Sequence, residues 1–356
     1  MTETVAGLIT GKETVEFRSF AAVPPPAGCV AVEISLCGIC GTEIASFRTG
    51  HLHSPAVCGH EWVGVISETG DGVLGLHAGD RVVIGVPPAC GRCADCRRGL
   101  SEYCHTVSYV ARGRDELAAL HGGFAARITV SAARVVPAHP GLRDEEAAQV
   151  EPATVAYHAV RRSRIAPGDL VVVQGAGPIG LFALQFARAA GAGEVVVVEP
   201  SELRRTLAVE LGATRAVAPD NAADLVREET DGVGADVVLE CTGVSRLLQN
   251  ALDLTRSGGT MSLLSFLAQP ATINAASWLA KQLTMVASNA FTHDDLRRSM
   301  AFLADGRVRA TPLHSRTVAL ADLEPTLRTL AQGDASDVKV LVDPRRAGSK
   351  EESSTT

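Results

Sequence analysis

Two regimes of hydrophobic patterning divide this 356-residue chain. Through about residue 150, apolar residues come in short runs broken by glycine and proline. Val30, Val32, Ile34 and Leu36 alternate with other residues at period two, which predicts a half-buried strand. The run Glu61-Trp-Val-Gly-Val-Ile-Ser and the stretch from Arg81 onward read the same way, and Val-Pro-Pro-Pro-Ala-Gly at 23–28 predicts a turn. Near residue 155 the character changes. Leu170-Val-Val-Val-Gln is a continuous apolar run, followed by glycines and a helical stretch over about 178–190. A second run, Glu194 to Val198, leads into a further helical stretch through Leu211, and later runs fall at Ala235–Leu239 and Met261–Leu264. Strands alternating with helices of this length predict an α/β domain, a doubly wound parallel sheet covered on both faces. After about residue 292 the pattern is mixed again and closes with Val338-Lys-Val-Leu-Val-Asp-Pro, a segment expected to return to the first domain as strand and helix. The expected organisation is therefore 1–155, mainly β; 156–291, the parallel-sheet domain; 292–344, returning to the first; and a polar tail, 345–356, expected to be disordered.

Composition narrows the function classes. Hydrophobic residues make up 46% and charged residues 21%, the balance of a folded globular chain. No apolar run approaches the roughly 18 residues of a bilayer span, and the opening Met-Thr-Glu-Thr-Val lacks the basic start and apolar stretch of a signal peptide. A soluble, cytoplasmic protein with no membrane partner is expected. The formal net charge of -7 argues against a nucleic-acid partner, which needs a basic surface to displace counterions.

Nine cysteines in an apparently cytosolic chain point to metal or redox chemistry rather than disulfides. Cys90-x2-Cys93-x2-Cys96-x7-Cys104 places four thiols within fifteen residues, enough to close a tetrahedral zinc site. Four thiolates leave no open position, so such a zinc is structural. An iron–sulfur cluster is the rival, since ferredoxins use a similar short run, and four unrelated core cysteines the blander one.

Gly175-Ala176-Gly177-Pro178-Ile179-Gly180 carries the G-x-G-x-x-G spacing directly between a predicted strand and a predicted helix, the context in which it indicates dinucleotide binding. Gly175 permits the tight turn, Gly177 lets the backbone approach a pyrophosphate, and Gly180 allows close helix–strand packing. The helix N-terminus offers free N–H groups to the phosphates. Glu199 lies 19 residues beyond Gly180 at the end of the next apolar run. There a carboxylate accepts from a ribose diol and repels a 2′-phosphate, favouring NAD over NADP; nearby Arg204 pulls the other way.

Cys37-Gly-Ile-Cys40-Gly-Thr42-Glu43 and Gly59-His60-Glu61 supply thiol, imidazole and carboxylate donors for an open zinc site. Cys37 and Cys40 also read as a redox pair or as packing residues, and His60 alone reads as structural. The whole series is more specific. With Gly79-Asp-Arg-Val82, Gly122-Gly-Phe-Ala125, Val150-Glu-Pro152, the glycine loop and Ala235-Asp-Val-Val-Leu-Glu-Cys-Thr-Gly243, it resembles the zinc-dependent medium-chain dehydrogenase family over residues 5 to 343. The resemblance is greatest to the polyol and secondary-alcohol branch, sorbitol- and butanediol-dehydrogenase-like.

That resemblance implies a GroES-like, mainly β catalytic domain with a zinc lobe at 90–104, joined to a Rossmann domain. It implies two zincs per chain and a nicotinamide cofactor. Cys40 and His60 fall on ligands of the catalytic zinc, Thr42 on the hydroxyl that relays the substrate proton, and Glu61 and Glu151 on carboxylates that bind or approach the zinc, directly or through water. Cys90, Cys93, Cys96 and Cys104 fall on the structural zinc. Gly175, Gly177, Pro178, Ile179 and Gly180 fall on the dinucleotide loop, and Ile179, Glu199 and Arg204 on positions that touch the cofactor. Cys29, Cys37, Cys58 and Cys241 match no ligand. Three departures stand out: Glu43 replaces an aspartate expected near His60, Ala45 replaces a histidine of the proton relay, and Arg112–His121 is longer than usual. The implied activity is reversible, zinc- and NAD-dependent oxidation of a secondary alcohol (polyol, cyclitol or diol) to its ketone by a homodimer or homotetramer. The alternatives are an amino-alcohol (threonine-type) dehydrogenase, an NADPH-preferring ketone reductase, and, from another class, a non-catalytic nucleotide-binding protein on the same fold.

Overall fold

A computed structural model of the chain describes residues 3–267, 269–333 and 336–346. Contacts divide it into two units. The first takes 1–151, 291–304 and 314–356; the second takes 152–290 and 305–313.

The first unit is built on a mixed sheet whose path runs His314–Ala319, Lys339–Asp343, Cys29–Gly38, Glu61–Thr69, Arg81–Ile84 and Val135–Pro137, with Arg127–Ser131 also paired to Cys29–Gly38. A hairpin, Glu3–Gly11 with Thr14–Ala21, stands beside it. The strand Cys29–Gly38 is not half-buried as its alternation predicts. Every residue but Glu33 is buried. It is an interior strand with partners on both sides, and its intervening positions are the small residues Ala31, Ser35 and Cys37, which can be covered as readily as the valines opposite them. Val30, Val32, Ile34, Phe47, Trp62, Ile66, Phe124 and Leu323 share one core.

The second unit is a six-stranded sheet in the order Arg215–Val217, Glu194–Val198, Leu170–Gln174, Ala235–Glu240, Thr255–Leu263, Thr284–Ala287. Every pairing is parallel. The order reverses between Leu170–Gln174 and Ala235–Glu240, and ligands of such sheets bind in the crevice beyond the carboxyl ends of those two strands. The helix Pro178–Ala189 opens on proline, which fits a first helical position because its missing N–H has no intrahelical partner. Residues 180–187 of that helix are buried all round, as expected for a helix apolar on every face.

The segment 305–313, expected to travel with the returning chain, groups instead with this second unit. The reason is a polar clamp. The Gln185 side chain accepts from the Arg309 N–H at 2.7 Å and donates to the Arg309 carbonyl at 3.1 Å, while the Arg309 guanidinium donates to the Glu210 carbonyl at 2.7 Å. Of the tail, Pro344–Arg346 turns back on Asp343, whose carbonyl accepts from the Arg346 N–H; residues 347–356 lie outside the described residues. Among the described residues no helix is long and apolar enough to cross a membrane.

Candidate metal centres and dinucleotide site

The helix Gly41–Thr49 begins at Cys40, whose N–H donates to the Glu43 carboxylate at 2.9 Å in a capping arrangement. The same carboxylate accepts from the Gly59 N–H at 3.0 Å and lies 2.9 Å from His60 Nδ1. The Val57 carbonyl is a second acceptor for that nitrogen, also at 2.9 Å. Two acceptors hold Nδ1 as a donor, the usual way a carboxylate orients a metal-binding histidine, and the ring also hydrogen-bonds the Cys40 thiol. The glutamate that departs from the expected aspartate thus still reaches His60. Burial pushes the Glu43 carboxyl up, but His60 and the two N–H donors outweigh it and hold it below its ordinary range. Burial pulls the His60 ring down, and Glu43 and Cys40 outweigh that, raising it well above its ordinary value.

His60 belongs to two overlapping groups of potential metal-ligating atoms, Cys40 with Glu43 and His60, and His60 with Glu61 and Glu151, each within 4.8 Å. The structure thus brings the sequence-predicted Cys40, His60, Glu61 and Glu151 together around one imidazole. Glu151 is pushed up to about 7, first by loss of water and then by Glu61, against the pull of His60 and Lys339. Thr42 presents a buried hydroxyl oxygen with no hydrogen-bond partner among the described residues, an orphan that calls for a ligand.

One residue here escaped the sequence reading. Lys339, at the start of the strand Lys339–Asp343, is 1% exposed and forms an ion pair with equally buried Glu61. Its ammonium also donates to the Ile39 carbonyl at 2.9 Å. Gly38, facing Glu61 across the ladder, makes room for the pair: a Cβ there would overlap Glu61 Oε2 and come within 2.8 Å of Lys339 Cε. Glu61 is therefore held by an ammonium at the edge of the cluster rather than standing free as a fourth donor. The available signal was a single lysine inside a run of valine and leucine.

The four lobe cysteines converge, each sulfur within 4.8 Å of the others. Cys90 and Cys96 sulfurs are 4.0 Å apart, and those of Cys93 and Cys104 are 3.9 Å apart. Tetrahedral zinc with Zn–S bonds of about 2.3 Å requires sulfur separations of roughly 3.8 Å, so the donor set and its spacing fit zinc. Backbone N–H donors led by that of Arg92 lower the Cys90 thiol to about 6, whereas burial and the neighbouring thiols push Cys96 up to about 12. Without a cation the four cannot all ionise. The remaining cysteines are free thiols; Cys29 and Cys37 are buried, Cys58 and Cys241 partly so. Burial pushes Cys58 up to about 12, which leaves it an unreactive thiol at neutral pH.

In the second unit, Gly175 takes a left-handed φ of +93° at the end of its strand. Gly177 is the N-cap of the helix Pro178–Ala189. A Cβ at Gly177 would meet nothing within 4 Å, whereas one at Gly180 would overlap the Gly175 carbonyl. Open space above the second glycine and tight packing under the third fit a pyrophosphate laid across the helix N-terminus. Glu199 is buried, and its two oxygens accept from the Ala176 N–H at 2.8 Å and the Ser201 N–H at 3.0 Å. Its carboxylate is thereby oriented beside the loop with lone pairs to spare. The Arg204 N–H is capped by Ser201 Oγ at 3.4 Å, and Ile179 lies partly buried in the first helical turn.

Comparison with known proteins identifies the family of both units. Residues 26–140 match the alcohol dehydrogenase GroES-like domain, and residues 178–305 match the zinc-binding dehydrogenase family. The sorbitol dehydrogenase of Halalkalibacterium halodurans is 32% identical over 323 residues, covering 88% of this chain and 91% of that protein. The 2R,3R-butanediol dehydrogenase structure from Bacillus subtilis superposes with a TM-score of 0.81 at 28% identity, covering 96% of this chain and 100% of its own. A protein of Sinorhizobium meliloti described as a zinc-binding dehydrogenase and solved with NADP superposes with a TM-score of 0.83 at 29% identity, covering 97% and 100%.

Proposed function

The chain belongs to the zinc-dependent medium-chain alcohol dehydrogenase family, and from that premise we propose that it oxidises a secondary alcohol of a polyol, cyclitol or diol reversibly to the ketone, with NAD and two zinc ions per chain. The observation that carries this reading is the gathering of Cys40, His60, Glu61 and Glu151 around one imidazole, with ligand atoms within 4.8 Å in each group that shares it. Cys40, His60 and Glu151 would hold the catalytic zinc, with Glu61 approaching it from its pair with Lys339, and Cys90, Cys93, Cys96 and Cys104 would hold the structural one. When bound, the zinc polarises the alcohol oxygen and the nicotinamide takes the hydride. Thr42 would accept a hydrogen bond from the alcohol hydroxyl and so hold its proton at Oγ1. Glu43 keeps the His60 ring turned so that Nε2 faces the site.

Glu199 supports NAD over NADP: a buried carboxylate with fixed orientation repels a 2′-phosphate, although one structural relative was solved with NADP. Polyol, cyclitol and diol substrates are favoured by the relatives, which include a sorbitol dehydrogenase and a butanediol dehydrogenase. A homodimer or homotetramer belongs to the proposal. The sheet ends at Thr284–Ala287, whose outer edge has no partner strand among the described residues, an arrangement that favours pairing with a second copy. The test is zinc content before and after metal depletion, paired with NAD- and NADP-linked oxidation of a polyol and diol panel. Two zincs per chain and zinc-restored turnover with NAD are expected. One zinc and no turnover would overturn the catalytic assignment.

A further inference from the structure

The strand Ala235–Glu240 ends in a carboxylate that has no part in the proposed reaction. Glu240 is fully buried, and among the described residues its hydrogen-bond partners are all N–H and O–H donors. Instead, one oxygen accepts from the Thr242 N–H at 2.8 Å and from the Thr242 hydroxyl. The other accepts from the Ser265 hydroxyl at 2.6 Å. Each hydroxyl in turn receives a further amide: Ser265 Oγ accepts from the Gly243 N–H at 2.9 Å, and Thr242 Oγ1 from the Val244 N–H at 3.1 Å. Three consecutive amides, 242 to 244, are therefore tied to one carboxylate, directly or through a single hydroxyl. Successive backbone N–H groups of this kind form a concavity suited to an anion. Here the anion is the chain's own side chain, and Gly243, with φ of +70°, allows the loop to close around it.

The place of this loop gives it a consequence. It follows the strand Ala235–Glu240, which with Leu170–Gln174 bounds the point where the sheet order reverses. A Cβ at Gly175, the first glycine of the phosphate loop, would lie 3.0 Å from the Thr242 methyl and 3.4 Å from the Thr242 nitrogen. Thr242 thus packs directly over Gly175. We propose that Glu240 is a positioning residue for the dinucleotide: through Thr242 and Ser265 it fixes the loop 242–244 against Gly175 and so sets the wall of the crevice in which the cofactor lies. This rests on the reading of Gly175–Gly180 as the dinucleotide loop.

The chemistry of the carboxylate makes the role testable with an isosteric change. In Glu240→Gln the amide turned toward Ser265 donates where an acceptor is needed, while Ser265 Oγ already accepts from Gly243. The Ser265 hydroxyl then loses its buried acceptor and the loop loses one of its two anchors. Ser265→Ala removes the same anchor without touching the charge, and Ser265→Thr restores the hydroxyl. The experiment is a fluorescence titration of NADH and NADPH on the zinc-loaded wild type and the three variants, with zinc content and melting temperature recorded beside it. Glu240→Gln and Ser265→Ala are expected to weaken dinucleotide binding about tenfold, with zinc content unchanged and Ser265→Thr binding close to wild type. In turnover, the KM for the dinucleotide should rise while kcat at saturating dinucleotide and the KM for alcohol hold. Wild-type affinity in both loosened variants would overturn the proposal, as would Ser265→Thr binding as weakly as Ser265→Ala. A wild type that binds neither dinucleotide would remove the reading of the glycine loop and this proposal with it. If Glu240→Gln fails to fold, Ser265→Ala against Ser265→Thr decides.

Discussion

Replacing Lys339 by methionine in the zinc-free protein isolates the buried charge pair at the edge of the catalytic cluster. Methionine keeps most of the stem volume and removes only the ammonium. Both partners are 1% exposed, so the change leaves the Glu61 carboxylate buried without its ammonium partner. Breaking a buried pair from one side costs about 3–5 kcal/mol, because the surviving charge keeps its desolvation penalty. Over a unit of this size that corresponds to a fall in melting temperature on the order of 10 °C. Neutralising the second partner as well should recover most of it, since replacing both members of a buried pair is often close to neutral. Glu61→Gln/Lys339→Met is therefore expected to be more stable than Lys339→Met alone, with a coupling of about 2 kcal/mol or more in the double-mutant cycle.

The assay is thermal and urea unfolding of chelator-treated protein for wild type, both single variants and the double variant, across pH. Burial lowers the Lys339 amine, but Glu61, with Cys40 and Glu43, outweighs it and raises it above its ordinary value. A group with a raised folded pKa contributes fully below its unfolded pKa and loses that contribution as pH rises through the folded one. The gap between wild type and Lys339→Met should thus stay level from neutral pH to about pH 10 and close above it. Adding zinc should narrow the gap, because a dication beside Glu61 supplies the missing charge. A cost under about 1 kcal/mol, or strictly additive single variants, would refute the reasoning: Glu61 would then be neutral or solvated in the absence of Lys339.

Three further outcomes are expected. Thr42→Val removes a buried hydroxyl with no partner among the described residues, so kcat should fall by about 100-fold or more while unfolding measured by calorimetry barely moves. Cys96→Ser should lower the zinc content by one ion per chain and reduce the melting temperature, as measured by metal analysis and calorimetry, since three thiolates no longer close the lobe. His121 is buried against Phe20 with ring centroids 4.7 Å apart, and burial holds its pKa below the ordinary value despite a hydrogen bond to the Gly122 carbonyl. Its contribution to stability should be complete above about pH 6.5 and vanish as pH falls through the lowered folded pKa; denaturation curves of His121→Phe should lack that acid limb.

Local chemistry was legible in the sequence where the residues that act together lie together. The lobe cysteines fall within fifteen residues, and short connections leave few ways to arrange them. The runs at 170–174 and 194–198 showed as strands because four or five consecutive buried residues admit no other short element between glycine-rich turns. The alternation at 30–36 misled because period two records which residues are apolar, whereas burial of the second face depends on how small the others are. Residues 305–313 were misplaced for a related reason: a clamp between Gln185 and Arg309, 124 positions apart, leaves no periodic trace.

Lys339 shows where such reading stops. In a strand pattern one lysine among valines reads as an outward position or an edge, since a buried ammonium without a partner is prohibitive. Its partner is 278 residues away, and the space both occupy exists because a third, separate segment supplies Gly38. None of the three is informative alone. Each looks like an ordinary residue of its own strand, and only the register of Cys29–Gly38 against Glu61–Thr69 on one side and Lys339–Asp343 on the other brings them together. The candidate metal cluster has the same character, drawn from residues 40, 60, 61 and 151, and it was family likeness rather than spacing that pointed to these residues together. A charge inside an apolar strand is thus best treated as a query about register: the strand that carries it must lie beside a segment offering both an opposite charge and a residue without a side chain.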